Sequence, residues 1–217
     1  MKKFLVLFSL FFINTVCADN FKLKKLIDLN NPWSLTFIND NEILISEKSG
    51  LLILYNKKTQ KKSSISHNLK LNDNGQGGLL EILNFKDDIY LCYSEDRGFG
   101  KSSTSIAKAE YTATNLYFKN IFQANPPINS GYHFGCRMVI KDEQYLYASA
   151  GERGEGNIAQ DPQQHPGSII RIHLDGTIPE DNPKFKDKTD WLPEIYQIGI
   201  RNPQGMTLSP FDNKVYI

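Results

Sequence analysis

Hydrophobic residues in this chain come in short runs separated by polar turns, and one arrangement of runs recurs. Residues 33–47 read W-S-L-T-F-I-N-D-N-E-I-L-I-S-E, and residues 78–95 read G-L-L-E-I-L-N-F-K-D-D-I-Y-L-C-Y-S-E. The arrangement returns at 136–152 as C-R-M-V-I-K-D-E-Q-Y-L-Y-A-S-A-G-E and at 204–217 as Q-G-M-T-L-S-P-F-D-N-K-V-Y-I. Each copy is an apolar strand, a polar turn containing Asp, and a second apolar strand. The first three copies close on an acid: Glu47, Glu95 and Glu152. Each of these is followed by a further strand, Leu51 to Tyr55, Ser105 to Tyr111 and Ser168 to Leu174. Short runs rich in Ile, Leu, Tyr and Phe, bounded by Gly, Asn, Asp and Lys, are strand-forming. No helical apolar spacing is sustained beyond the first residues.

A period of roughly 50 residues with three or four strands per copy predicts an all-β chain built as a β-propeller, one blade per copy. A sandwich or barrel is the rival, since both use short strands with regular turns, but neither calls for the repeat. The fourth copy stops at Val215-Tyr216-Ile217, inside its second strand. Propellers close into rings that hide their sheet edges. Residues 19–217 are therefore expected to form an incomplete propeller domain of about four blades, the last incomplete and the C-terminal blades absent.

Residues 1–18 are set apart from this pattern. Lys2 and Lys3 precede the apolar run Phe4 to Ile13, and Val16-Cys17-Ala18 suits cleavage after Ala18. The run is too short to cross ~30 Å of hydrocarbon, so it reads as a secretory signal peptide. A lipoprotein reading of Cys17 is weaker, because Val16 stands where a small residue is normal. No later run approaches membrane length. The expected product is exported, to the periplasm if the source is bacterial, with no membrane insertion after cleavage.

Composition narrows the function. The 25 Lys+Arg against 24 Asp+Glu argue against nucleic-acid binding by bulk charge. The 12% aromatic content argues against disorder. Three cysteines are too few for a disulfide scaffold. Cys92 and Cys136 would be able to pair in an oxidising space, but with no framework around them they read as two buried, unpaired thiols.

In a propeller the loop entering each innermost strand sits at the channel mouth, so the residues there converge from different blades. These entrances carry Asn31-Pro32-Trp33, Gly75-Gln76-Gly77-Gly78, Gly131-Tyr132-His133-Phe134-Gly135 and Arg201-Asn202-Pro203-Gln204-Gly205. Gln76, His133, Arg201 and Asn202 would form one polar constellation, with glycines that let backbone approach a ligand. Each also has a plain structural reading: Gln76 and Arg201-Asn202-Pro203 as turns, His133 as a satisfied histidine, Trp33 as core packing. Glu152 is either a solvent-facing acid or the partner that orients a histidine. Gly151-Glu152-Arg153-Gly154-Glu155-Gly156 matches the letters of a dinucleotide loop but follows no βαβ unit. His165 and His173 lack a third ligand for zinc, and Lys57 to Lys62 reads as a solvated hairpin end. No H-E-x-x-H, C-x-x-C, Walker A or G-x-S-x-G motif is present.

Several strings, in order, resemble one family. They are N-P-W-S-L-T-F (31–37), G-Q-G-G-L-L-E-I (75–82), Y-L-C-Y-S-E (90–95) and G-Y-H-F-G-C-R (131–137). A-Q-D-P-Q-Q-H-P-G (159–167), I-x-R-I-x-x-D-G-T-I-P-x-D-N-P ending at Pro183, and L-P-E-I-Y-x-x-G-I-R-N-P-Q-G-M (192–206) follow. Together they are similar to the soluble PQQ-dependent sugar dehydrogenases, the aldose sugar dehydrogenase and glucose/sorbosone dehydrogenase group. The resemblance implies a six-bladed propeller. It implies His133 as the general base on an aldose's anomeric hydroxyl, with hydride passing to PQQ and a lactone as product, and Glu152 as the histidine's partner, where the family usually has Asp. Gln76, Arg201 and Asn202 match positions that contact PQQ or sugar. Tyr132 stands where Gly or Asp is common, Cys136 replaces the usual Ser, and Pro166 and Ser168 depart from an H-x-G-K run. The family's calcium, which anchors PQQ through a Gly-Pro motif, would find its ligands beyond Ile217. On that basis the 217-residue chain alone is expected not to hold its cofactor. The sugar and the downstream electron acceptor are not specified by these residues. A non-catalytic propeller that binds sugar or protein is the alternative. A lactonase-type metal-dependent hydrolase ranks third, because the entrances carry no acid.

Overall fold

The computed structural model describes residues 22–184 and 190–217, and the expected signal peptide, 1–18, lies outside the described residues. The first blade holds β1 (Pro32–Phe37), β2 (Glu42–Glu47), β3 (Leu52–Asn56) and β4 (Lys61–His67), in that order across the sheet. The second uses β5 (Leu79–Phe85), β6 (Asp88–Asp96) and β7 (Ser102–Glu110). The chain then donates β8 (Asn115–Leu116) in parallel to the outer edge of β4, and returns to close its own sheet with β9 (Lys119–Gln123). The third blade is β10 (Gly135–Lys141), β11 (Tyr145–Ala150), β12 (Ser168–His173) and β13 (Ile195–Ile198). β14 (Thr207–Leu208) and β15 (Val215–Tyr216) pair as a two-stranded hairpin, the start of a fourth. The sole helical element among the described residues is a 3₁₀ turn at Gly156–Gln160. The repeat reading holds: the chain is all-β, with blades of a propeller that do not close on themselves.

Alternation within each strand builds the packing between blades. Ile89, Leu91 and Tyr93 of β6 face the first blade and meet Leu44, Leu52 and Leu54. Tyr90 and Cys92 point the other way, against Cys136, Met138, Leu146 and Ala148 of the third. Both faces of a middle blade are thus dry, which is why its strands read as nearly continuous apolar runs. Each such buried Leu or Ile stabilises the fold by roughly 1.5–3 kcal/mol. The outer face of the first blade is covered by Ile27 and Leu29.

The expectation of free thiols at Cys92 and Cys136 is overturned. The two are joined in a disulfide with Cα atoms 5.6 Å apart. Cys92 sits on the face of β6 turned toward the third blade, and Cys136 is the second residue of β10, the strand that blade presents to it. Blade stacking supplies the proximity that spacing along the chain conceals.

The innermost strands share an irregularity. The register of β1, β5 and β10 shifts within the first residues of each strand, at Pro32/Ser34, Leu79/Ile82 and Gly135/Met138. In every case a buried serine of the second strand accepts a backbone N–H there. Ser46 accepts from Ser34, Ser94 from Gly78 and Ser149 from Arg137, at 3.2, 2.6 and 2.9 Å. The bulge sets the direction in which each entrance loop leaves its strand.

The channel-side edge of each innermost strand has no strand beside it. Amides of β5 and β10 bond instead to side chains of the preceding blade. Ile82 N–H donates to Ser34 Oγ and Asn84 N–H to Thr36 Oγ1, at 3.3 and 3.0 Å, while Met138 N–H donates to the Glu81 carboxyl. Burial pushes the Glu81 carboxyl up from 4.5 to about 7, against the lowering pull of the Met138 N–H and the Arg137 guanidinium.

Two measurements test these ties. Replacing both disulfide cysteines with serine should lower stability by about 4 kcal/mol in urea unfolding, the loop-entropy expectation for a cross-link spanning 44 residues. An unchanged midpoint would show that the bond constrains nothing. For Glu81, a folded-state pKa raised to about 7 means its contribution is most favourable below 4.5 and is lost as pH rises through 7. Ionisation inside the fold then costs on the order of 3 kcal/mol. Glu81→Gln keeps an acceptor for Met138 without the charge. It should stabilise the protein at pH 8 and be near neutral at pH 4.5; equal effects at both would refute the assignment.

Candidate active site

The entrance loops are zipped together by backbone. Gln76 N–H donates to Gly131 O at 2.7 Å, and His133 N–H donates to Gln76 Oε1 at 2.9 Å. On the far side, Gly135 N–H donates to Asn202 Oδ1 at 3.0 Å, and Glu152 N–H donates to Arg201 O at 2.8 Å. Residues scattered over the sequence thereby share one site: Gln76, His133, Glu152, Arg201 and Asn202. The glycines permit the approach. A Cβ on Gly151 would lie 2.1 Å from His133 O, and one on Gly75 would lie 2.4 Å from Gly131 O. Side chains at either position would push the loops apart.

His133 adopts φ +50°, a left-handed conformation that a non-glycine residue holds only when its surroundings fix it. Its Nδ1 is hydrogen-bonded to Glu152 Oε1. The other oxygen, Oε2, accepts Gly156 N–H at 2.7 Å, and Arg201 Nε stands 3.8 Å from Oε1. The Glu152 side chain is 3% exposed, against 20% for His133 and 83% for Arg201. Burial would raise the Glu152 carboxyl, but the His133 bond and the Gly156 N–H outweigh it and hold the group below the usual carboxylate range. An ionised carboxylate only accepts, so Nδ1 is the donor, and in the neutral imidazole the lone pair is on Nε2. A histidine oriented in this way can accept a proton at Nε2, and the buried carboxylate stabilises the imidazolium that results.

Glu152 is thus buried and bonded to the imidazole, not an acid facing solvent. Trp33 packs against the core, as expected, and also lines a cavity of about 250 Å³ with Gln76, Leu80, Phe134, Gly135, Asn202 and Gln204. Its indole Nε1 is buried with no hydrogen-bond partner among the described residues. His165 lies apart from this site. Its Nδ1 accepts Asn125 N–H at 2.9 Å and its Nε2 meets Glu194 Oε1 at 2.8 Å. His173 stacks on Tyr145.

One residue escaped the sequence reading. Arg153 follows Glu152 in the run whose letters mimic a dinucleotide loop, and it is 2% exposed, among the largest fully buried side chains. The signal that would have found it is a charged residue beside a histidine's partner in a glycine-rich loop.

A family model described as Glucose / Sorbosone dehydrogenase matches residues 29–217. Over 198 residues the chain is 32% identical to the aldose sugar dehydrogenase YliI of Escherichia coli K12, a match covering 87% of this chain and 53% of that protein. Over 230 residues it is 27% identical to quinoprotein glucose dehydrogenase B of Acinetobacter calcoaceticus, covering 89% of this chain and 47% of that one. The crystal structure of the soluble aldose sugar dehydrogenase of Escherichia coli in the apo-form superposes with a TM-score of 0.81 at 32% identity, over 86% of this chain and 56% of the other. The chain spans about half the length of the curated relatives it matches. With entrance loops, propeller blades and family model in agreement, the chain belongs to the glucose/sorbosone dehydrogenase family.

Proposed function

We propose that the protein oxidises an aldose at its anomeric carbon to a lactone with PQQ as cofactor, and that His133 is the base. The observation that carries this reading is the His133–Glu152 pair, buried on its carboxylate side and open at the imidazole, among Gln76, Asn202 and Arg201. The names of the Escherichia coli and Acinetobacter relatives, a sugar dehydrogenase and a quinoprotein, support the reaction class and a quinone cofactor.

The residues present fit such a cofactor. A planar, anionic quinone needs donors and positive charge, and the cavity is lined by the amides of Gln76 and Asn202. Both amides bond to loop N–H groups through their oxygens, so their nitrogens are the remaining donors. Arg201 would add a cation. When bound, the quinone supplies the acceptor for the hydride that leaves the anomeric carbon. His133 Nε2 takes the hydroxyl proton as the carbonyl forms, and Glu152 stabilises the imidazolium. Calcium belongs to the proposal as the ion that anchors the cofactor, and no residue named here is assigned to it. Export to a bacterial periplasm after cleavage behind Ala18 completes it. The Cys92–Cys136 disulfide supports that location, because such bonds persist in oxidising compartments. No helix among the described residues is long and apolar enough to cross a membrane.

The test is reconstitution of the intact gene product with PQQ and calcium, followed by dye-linked oxidation of a panel of aldoses. Wild-type activity should depend on both additions, and His133→Ala should lower kcat by about 10²–10⁴-fold while leaving the protein folded. A folded protein that takes up no PQQ would overturn the proposal in favour of a propeller that binds without catalysis.

A further inference from the structure

We propose that Arg153 is the positioning residue of His133: Glu152 grips the imidazole, and the next residue in the chain grips the backbone that carries it. The inference rests on His133 being the base of the proposed reaction. Arg153 Nε donates to Tyr132 O at 2.9 Å, the carbonyl that immediately precedes His133. Nη2 donates to Ser130 O and, at 3.0 Å, to Ser102 Oγ, while Nη1 donates to Ser102 O at 2.7 Å. The guanidinium carbon lies 3.6 Å from the centre of the Phe134 ring, and Arg153 N–H donates to His133 O at 3.2 Å. Every residue flanking His133, and His133 itself, is thus held by this one side chain or its backbone.

A buried guanidinium without a carboxylate is costly, and burial alone pulls Arg153 down to about 10. Its stabilisation comes from carbonyl oxygens, one hydroxyl and an aromatic face. Stability by itself is poorly served by such an arrangement, since apolar residues of similar volume would pack as well without the desolvation cost. What the fork provides is direction: rigid, planar donors fix several acceptors at once, which an ammonium cannot do. The segment in need of fixing contains His133 at φ +50°. Left-handed backbone is unfavourable for a non-glycine residue and relaxes when the restraint is removed. Ser102 opens β7 of the second blade, so the same guanidinium references the histidine to a second sheet.

The experiment uses the intact gene product carrying Arg153→Met, Arg153→Lys or Arg153→Gly, below the melting temperature of each. Hydrogen–deuterium exchange of the apo-protein reads residues 130–134 directly. Exchange there should rise at least tenfold in Arg153→Met while strands β5 and β11 stay protected, and it should not rise in His133→Ala. In the PQQ- and calcium-loaded protein, kcat should fall on the order of 100-fold with sugar KM and PQQ affinity within about threefold, the signature of a displaced base. Arg153→Lys should recover little of this, and millimolar methylguanidinium should restore Arg153→Gly but not His133→Ala. Unchanged exchange at 130–134, or kcat within threefold of wild type in a folded Arg153→Met protein, would overturn the inference. If Arg153→Met does not fold, failure of methylguanidinium to lower exchange in Arg153→Gly does the same. The exchange readout needs no turnover, so an inactive wild type would count against the dehydrogenase reading and leave the role of Arg153 decided separately.

Discussion

The innermost strand of every blade presents an unpaired edge to the channel, and the fold is organised around satisfying it. A buried backbone N–H without a partner costs about as much as a lost hydrogen bond, and an open edge also invites wrong pairing. Here the edges of β5 and β10 are met by side chains of the blade before: Ser34 and Thr36 reach the amides of β5, and Glu81 reaches that of β10. Side chains of the second and third strands add ties between blades, Ser46 Oγ to Leu80 O and Thr104 Oγ1 to Phe134 O, both at 2.7 Å. Apolar packing between blades is broad and would tolerate some sliding. These directional bonds do not, and they fix the angle and height at which one blade follows another.

That fixed register is what assembles the site. Gln76, His133 and Asn202 are held by main-chain bonds across neighbouring loops, which form only if the strands behind them are in step. The bulges at the first residues of β1, β5 and β10, each capped by a serine, aim the loops inward. Glycine at 75 and 151 removes the side chains that would keep the loops apart. The strain at His133 is the local cost, and it is borne by a neighbourhood with more restraints than the backbone needs.

The sequence made the blades legible because a propeller repeats its chemistry. Strand, turn with Asp, strand and acid recur with little variation, and the residues before each first strand announce the channel mouth. Gln76, His133, Arg201 and Asn202 were readable for that reason. The acid at the end of the second strand is a repeated structural element: Glu47 accepts Asn30 N–H, and Glu95 accepts from Ser105, Asn120 and Gln123. Of these three acids, Glu152 alone is bonded to a histidine among the described residues, so the repeat alone left its role open. What stayed hidden depends on contacts between blades. Cys92 and Cys136 meet because alternation turns both toward one interface. β8 leaves its own blade to pair with β4 of the first, and no residue pattern marks that crossing. Arg153 was hidden by its type, since a charged residue in a glycine-rich loop is ordinarily solvated.

The length of the acid at position 152 also bears on the proposed chemistry. Glu152 divides its oxygens, one to the imidazole and one to the Gly156 N–H, with the Arg201 guanidinium near the first. A residue one methylene shorter at this backbone position would have to draw the 151–156 loop inward to keep both bonds. The Gly154 and Gly156 backbones, at φ +84° and +46°, show how sharply that loop already turns. Holding the carboxylate ionised is what keeps the proton on Nδ1 and the lone pair on Nε2. The length of the Glu152 side chain therefore sets how far the 151–156 loop stands from the imidazole, and Arg153, anchored in that same loop, reaches across to the backbone that carries it.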